Sequence, residues 1–480
     1  MLKYKYKTLL FLFFISLLTT NCKIAEYTPQ TSFRQIPSAF DGRKDTTNFA
    51  SIDWRTYFAD AMLNSLIDTA LQNNLDLAIA LQRIEMSRSQ VRFAKGLGLP
   101  FVSSAVNTGQ RRFGKYTMDG IGNFDTNFST NIDENQKIPE HLPDYYLGLQ
   151  SAWEVDIWGK LKSVKKAALT RYLASIEGKN FIITNLIAEI GNFYYELLAL
   201  DNELEIIQKT IILQEKALGI VRVQKQAGVT NELAVQQFEA QVLNFKGLEF
   251  ELKQQIIIFE NRINFLLGRF PQPIKRDSLS FSKVIPSQVS AGIPSQLLRN
   301  RPDIRQAEFE LVATKADVYA AQAAFYPSLN IVAGLGFQTF NAQFLLSPAS
   351  IAYSLLGGLS APLINRSAIK ARFEFAKAAQ LEALYNYQKS IVNGYTEVYN
   401  QLITINNLNQ IYTLKSKEVE VFTNAIETSA TLFNTGRATY LEVIITQANA
   451  LHAKIGLAEV KKRQFNAFID IYRALGGGWK

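Results

Sequence analysis

The sequence predicts a mainly α-helical chain with a membrane β-barrel segment, built as two helix-strand-strand-helix-helix repeats. Three features of the 480-residue chain predict this. Two helix-reversal sequences sit 208 residues apart. Apolar seams recur in steps of three and four over helical stretches too long for a compact domain. Four strand-like stretches, two in each half, carry aromatic residues at their ends.

The repeat comes first, because it fixes the architecture. Leu432–Val443 reads LFNTGRATYLEV and Gln224–Val235 reads QKQAGVTNELAV. In each, a helical pattern stops at a glycine, the residue that best tolerates the left-handed conformation closing a helix. Thr439 then suits the cap of the next helix. The same shift sets Leu233 on Leu441, Val235 on Val443, Ala240 on Ala448, Leu267 on Leu475 and Gly268 on Gly476. No gap is needed over some forty residues.

Residues 1–21 read as a signal peptide. Lys3, Lys5 and Lys7 precede an apolar run, Leu9–Leu18, too short to span a membrane. Cys22 follows, the only cysteine, and resembles the lipid-bearing first residue of a bacterial lipoprotein. Thr19 and Asn21 depart from that pattern, and an ordinary secretory signal is the alternative. Residues 22–58 read as extended, with Pro29, Pro37 and Gly42 against helix.

The first repeat covers 59–268. Helix runs from Ala59 to Gly96, then strand over 101–113. A polar loop spans Gly114–Pro143, and a second strand spans 145–158. From Lys160 the pattern is helical for 67 residues, with the seam Ile183, Leu186, Ile190, Phe193, Leu197, Leu200, Leu204, Ile207, Ile211. Its alternating steps are the coiled-coil period. At 1.5 Å per residue the helix is roughly 100 Å long. It turns at about 226–231 and returns over Asn231–Leu267. A Pro-rich linker, 269–294, with Pro286 and Pro294, follows.

The second repeat, 295–475, has the same order. Helix Ser295–Phe325 leads to strands over 328–340 and 351–364. Asn365 opens a long helix to Asn434, which reverses at about 434–439. The last helix has the seam Leu441, Ile444, Ala448, Leu451, Ile455, Ala458, Phe465, Ile469, Tyr472, interrupted by Lys462. Residues 476–480 form a tail. The starts of the halves also align, Leu71 against Leu298 and Pro100 against Pro327.

Strands of this length, about 45 Å, cross a ~30 Å bilayer core when tilted. Aromatics such as Phe101, Tyr145, Trp158 and Tyr326 suit the girdles of membrane barrels. Four strands cannot close a membrane barrel, and an open edge is not tolerated in lipid. Several chains must therefore share one barrel, with 8 strands for a dimer and 12 for a trimer. The secretory signal, together with the absence of any apolar 18-residue helix in the mature chain, points to the outer membrane of a Gram-negative cell, and the long helices then project into the periplasm. A soluble helical rod is the plain alternative.

Composition excludes other classes. The net charge of +9 falls to +6 without the signal lysines. It is spread out, without the basic stripe that nucleic-acid binding needs. One cysteine allows no intrachain disulfide. His141 and His452 are too few for an ordinary zinc, copper or haem site. Walker, dinucleotide and Ser-His-Asp signatures are missing, so no catalytic, cofactor-binding or metal residue is assigned, and the chain reads as a non-enzyme.

Three stretches carry a family resemblance. They are WEVDIWGKLK (Trp153–Lys162), Leu297–Gly336 with its Arg301-Pro302-Asp303 and Phe325-Tyr326-Pro327 marks, and TGRATYLEVIITQANAL (Thr435–Leu451). The chain resembles TolC-like outer-membrane factors, in the lipoprotein (NodT/OprM-like) branch serving resistance-nodulation-division efflux systems. The resemblance implies a homotrimer, with a 12-stranded barrel on a long periplasmic α-helical barrel. It implies an exit duct for small molecules or ions, meeting a periplasmic adaptor protein and, through it, an inner-membrane pump. Adaptor docking falls on Ala227, Gly228, Val229, Thr230 and on Thr435, Gly436, Arg437, Ala438, Thr439. The periplasmic aperture falls on Glu442, Ile445 and Phe433. Ile445 replaces a second acid of the family pattern. Phe433, Ala234 and Ala438 stand where some relatives hold the aperture with Tyr, Asp and Arg contacts. The implied closed gate is apolar, with three Glu442 carboxylates around the axis. An exit duct for protein secretion and a pore-less coiled-coil lipoprotein remain alternatives.

Overall fold

The computed structural model describes residues 35–40, 48–277, 280–281, 290–362, 364 and 366–480. The signal peptide, Cys22, Pro29, Gly42, Pro286 and the Asn365 helix start lie outside the described residues. Two compact units emerge. Of the described residues, one takes those within 89–169 and 312–383, the other those within 35–88, 170–311 and 384–480.

The first unit holds the sheet. Strands β1 (Phe101–Arg111), β2 (Leu142–Val155), β3 (Ser328–Thr339) and β4 (Ile351–Ser360) pair antiparallel in sequence order. Directly opposed residues share a face. Val106, Leu147 and Phe337 therefore lie with Ile351 on one face, and Ser104, Leu149, Leu335 and Tyr353 form the next row. Tyr353 is 83% and Leu355 71% exposed, so this apolar face is uncovered. The opposite face is small and polar: Asn107, Tyr146 and Gln338, then Ser103, Gln150, Gly334 and Ser354. One apolar row crosses it, Phe101, Ala152, Val332 and Leu356. The outer edges of β1 and β4 have no strand beside them among the described residues.

The strand ends differ from the expected ones for local reasons. β2 starts at Leu142 because 142–144 pair with Arg111, Gln110 and Gly109. It stops at Val155, not Trp158, because Asp156 turns to accept from the Leu161 and Lys162 N–H groups at 3.0 and 2.7 Å. That caps the next long helix, whose first N–H groups have no partner of their own. Trp158 instead donates to the Pro327 carbonyl at 2.7 Å and stacks on Tyr326. β4 ends at Ser360, opposite Ser328. The loop 114–143 is not wholly irregular: Met118–Thr126 is helical, with Thr117 accepting from the Gly120 N–H.

The second unit is helical, and the long helices contribute residues to both units. Across both units, in chain order, the α-helices are α1 (Trp54–Phe58), α2 (Ala61–Asn73), α3 (Leu75–Gly96), α4 (Met118–Thr126, in the sheet unit), α5 (Lys160–Gln226) and α6 (Glu232–Leu266). Then come α7 (Leu297–Asn300), α8 (Pro302–Ala323), α9 (Ser367–Asn434) and α10 (Tyr440–Ala474). The extended segment predicted before residue 59 gives way to α1, which Asp53 caps through the Arg55 N–H. Burial explains this: Trp54, Tyr57 and Phe58 enter the main core, and Tyr57 stacks between Phe468 and Tyr472 at 4.2 and 4.3 Å.

The α5 seam is the spine of that core, but between Leu186 and Leu200 burial extends well beyond it. Ile187, Tyr194, Tyr195 and Leu198 are also buried, because α2, α6 and α10 surround this part. Each fully buried Leu or Ile contributes about 1.5–3 kcal/mol. Lys462, the interruption in the α10 seam, is not turned out to solvent. It pairs with Glu196 at 3.1 Å and Glu459 at 2.5 Å. Beside it, burial pushes the Glu203 carboxyl up to about 7, with Lys462 opposing and Glu459 and Glu196 reinforcing the rise.

Each predicted first helix is broken in two, at the same place in both repeats. Asn74 separates α2 from α3 and donates to the Leu266 carbonyl at 2.8 Å. Arg301 separates α7 from α8 and donates to the Ala474 carbonyl at 2.9 Å. Leu266 and Ala474 end the two return helices, 208 residues apart. Beyond them Gly268 and Gly476 lie so close to Asn73 and Asn300 that a Cβ on either would sit 2.4 Å from a carbonyl oxygen. Arg301 is almost fully buried and also binds Asp303 at 2.7 Å and Glu397 at 2.6 Å.

Two outcomes follow. Removing Arg301 strands two carboxylates and a buried carbonyl, so Arg301→Ala should destabilise the fold by about 3–5 kcal/mol. Asn74→Ala, which loses a neutral bond and the α3 cap to Leu77, should cost about 1–2 kcal/mol. Chemical denaturation of the detergent-solubilised protein compares them, and equal losses would overturn the distinction. The raised Glu203 carboxyl gives the second outcome. Its folded pKa lies above the unfolded value near 4.3, so the folded state binds the extra proton between about 4.5 and 7. Its share of stability should fall as pH rises through that window. Melting curves of Glu203→Gln should show a flatter pH profile there than the parent.

Candidate functional site

The candidate site is the pair of helix reversals in the helical unit. At the first, Gly228 takes φ +75°, Gly228 N–H donates to Lys225 and Val229 N–H to Gln224. At the second, Gly436 takes φ +71°, Gly436 N–H donates to Phe433 and Arg437 N–H to Leu432 at 2.8 Å. Both are Schellman closures, which need the left-handed conformation that glycine adopts without a Cβ penalty. The sequence comparison therefore matches one three-dimensional motif used twice.

The entries to the return helices differ. Asn231 accepts from the Ala234 N–H at 3.1 Å. Thr439 instead donates both its N–H, at 2.6 Å, and its hydroxyl, at 3.0 Å, to the Glu442 carboxylate. Those two donors, backbone first, hold the Glu442 carboxyl below its usual range. Ala227, Gly228, Thr435, Gly436, Arg437 and Thr439 are exposed, and Val229 is 74% exposed, while Thr230 and Ala438 are half-buried. An ion pair, Lys225 with Glu232, ties the two arms of the first reversal.

The structure sorts the predicted aperture residues. Glu442 and Ile445 are exposed together, one helical turn apart, with Leu441 beside them. Phe433 is half-buried. Ala234 is fully buried in a cluster with Val221, Val235 and Phe238. Tyr440 and Ile444, which the sequence reading did not assign to the site, pack on that cluster. They anchor the start of α10 to the first hairpin, and Gln214 adds a bond to Gln447 at 2.7 Å. Their spacing, i and i+4, was the available signal. Among the described residues no group of acidic, His or Cys side chains could hold a metal ion. No described helix is long and apolar enough to cross a membrane.

Known proteins share this plan. The chain is 25% identical over 475 residues to the "Cation efflux system protein CusC" of Escherichia coli O6:H1, covering 98% of each. It is 29% identical over 433 residues to the "Pyoverdine export outer membrane protein OpmQ" of Pseudomonas putida, covering 89% of this chain and 88% of that one. The fold matches the open state of the Neisseria gonorrhoeae MtrE outer membrane channel, with TM-score 0.81 at 23% identity, over 95% of this chain and 98% of that one. Residues 66–269 and 293–477 match the family described as outer membrane efflux protein. Because those two blocks take in nearly all of both repeats, with all four strands and both reversals, the chain belongs to the outer membrane efflux protein family.

Proposed function

We propose that three copies of this chain form the outer-membrane exit duct of a tripartite efflux pump, passing small molecules or ions delivered by an inner-membrane transporter. The carrying observation is the sheet. It has one exposed apolar face, one mostly small and polar face, and two edges with no strand beside them among the described residues. Unpaired backbone groups are not tolerated in lipid. Closure with β1 of one protomer against β4 of the next turns the apolar face to lipid and the polar face to a lumen. Three copies give 12 strands, an even number within the range of bacterial barrels. Cys22 is the lipid anchor in this reading, and the division into two repeats around a 269–294 linker is its domain plan.

In this reading the exposed reversals, Ala227–Thr230 and Thr435–Thr439, dock a periplasmic adaptor, and Glu442 with Ile445 and Phe433 lines the aperture. The cargo is set by the pump. CusC is named for cations and OpmQ for pyoverdine, yet this chain resembles both over nearly its full length. Light scattering of the detergent-solubilised protein tests the assembly: a monomer or dimer overturns it.

Glu442→Gln isolates the charge, because glutamine also serves a capping box. The variant should keep its conductance in a planar bilayer and lose part of its cation preference. Unchanged ion selectivity would remove Glu442 from the aperture.

A further inference from the structure

We propose that Tyr146 is a pore-lining residue whose reclining ring sets the bore of the outer half of the barrel. This rests on the trimeric barrel above. Tyr146 lies on the small, polar face of the sheet, in register with Asn107 and Gln338. A polar belt flanks it on the loop side of β2, where Asp144 accepts from Gln338 at 3.0 Å and pairs with Arg111 at 3.4 Å. An upright tyrosine here would project into the lumen from each of three protomers.

The ring does not stand upright. The Tyr146 hydroxyl donates to the Leu149 carbonyl at 3.3 Å, so the phenol lies along its own strand across Gly148. A Cβ on Gly148 would sit 2.7 Å from that hydroxyl and 2.6 Å from the Gly336 Cα. A Cβ on Gly334 would sit 3.7 Å from the same hydroxyl. The hydroxyl end of the ring thus occupies volume that a Cβ at 148 would take, and it lies in contact range of one at 334. Aromatic cover over sheet glycines also stabilises a barrel. The bore reading goes further, because it makes passage depend on where the ring lies.

A reporter below the ring tests it. Ala152→Cys places a thiol on the same face, farther along β2 and exposed. The native chain has one cysteine, Cys22. Membrane-impermeant maleimides of graded size are applied from outside the cells. Gly334→Leu extends a side chain into the trough toward that hydroxyl; its Cβ would sit 3.0 Å from the Ser354 hydroxyl, which can rotate away, and no closer than 4.0 Å to a backbone atom. It should slow labelling by the larger reagents several-fold and leave the smallest unchanged. Adding Tyr146→Ala should restore the rate. Tyr146→Trp, too large for the trough, should lower the size limit without any change at Gly334. A size limit identical in all variants overturns the inference, as does slowing that persists without the ring. Failure of the smallest reagent to label Ala152→Cys in the otherwise native chain overturns the barrel reading itself.

Discussion

Each repeat ends by seating the end of a helix against a break in an earlier one, and the helical unit depends on that joint. The last carbonyls of an α-helix have no partner within it. At the end of α6 the partner is Asn74, and at the end of α10 it is Arg301. Gly268 and Gly476 let the backbones approach closer than any side chain would allow. The joint fixes one end of each return helix and the reversal fixes the other. Both return helices have 35 residues. The sheet side is under no such constraint. The connection from β1 to β2 has 30 residues against 11 from β3 to β4. The two long helices match almost as closely, at 67 and 68 residues, so length is held between joint and tip and varies in the strand connections, as expected if the tips act together.

The two joints are the same in position and different in chemistry. Asn74 makes a neutral bond and also caps α3, accepting from the Leu77 N–H. Arg301 is a buried cation between Asp303 and Glu397, and Pro302 behind it takes the first helical position, where a missing N–H costs nothing. A buried ion pair adds little net stability over an apolar packing of the same volume, yet leaves a large deficit when one partner goes. The second joint is therefore the more demanding about its residues. This gives the Arg301-Pro302-Asp303 triplet, so prominent in the sequence, a structural role at a helix end.

How much was legible in the sequence follows from where each signal resides. The reversals were readable to the residue, because Gly228 and Gly436 answer a local backbone demand and the helices around them are long and periodic. The two breaks near residues 74 and 301 were not, because their cause lies 192 and 173 residues away in the chain, at Leu266 and Ala474. Helix α1 was missed for the same reason: Trp54, Tyr57 and Phe58 are ordered by Phe468 and Tyr472. The faces of the sheet were blurred by the apolar row Phe101, Val332, Leu356 on the otherwise polar side. Only the pairing register resolves them. Lys462 breaks the seam as a sequence pattern, yet it sits in the fold as the cation between Glu196 and Glu459.

Glu442 shows why a tip and a gate are hard to separate by sequence. An acid at the third position of a helix is explained fully by capping, and here Thr439 supplies both donors. The two roles are nevertheless compatible. Hydrogen bonds to a carboxylate favour its charged form, and those from Thr439 hold the carboxyl below its usual range. Three like charges converging on an axis would push the other way, toward protonation. The cap opposes that push before any second charge arrives. In the proposed trimer a capping box at the second reversal would favour an ionised ring, whereas the first reversal, closed by the neutral Asn231, has no acid at the matching place, where Ala234 stands.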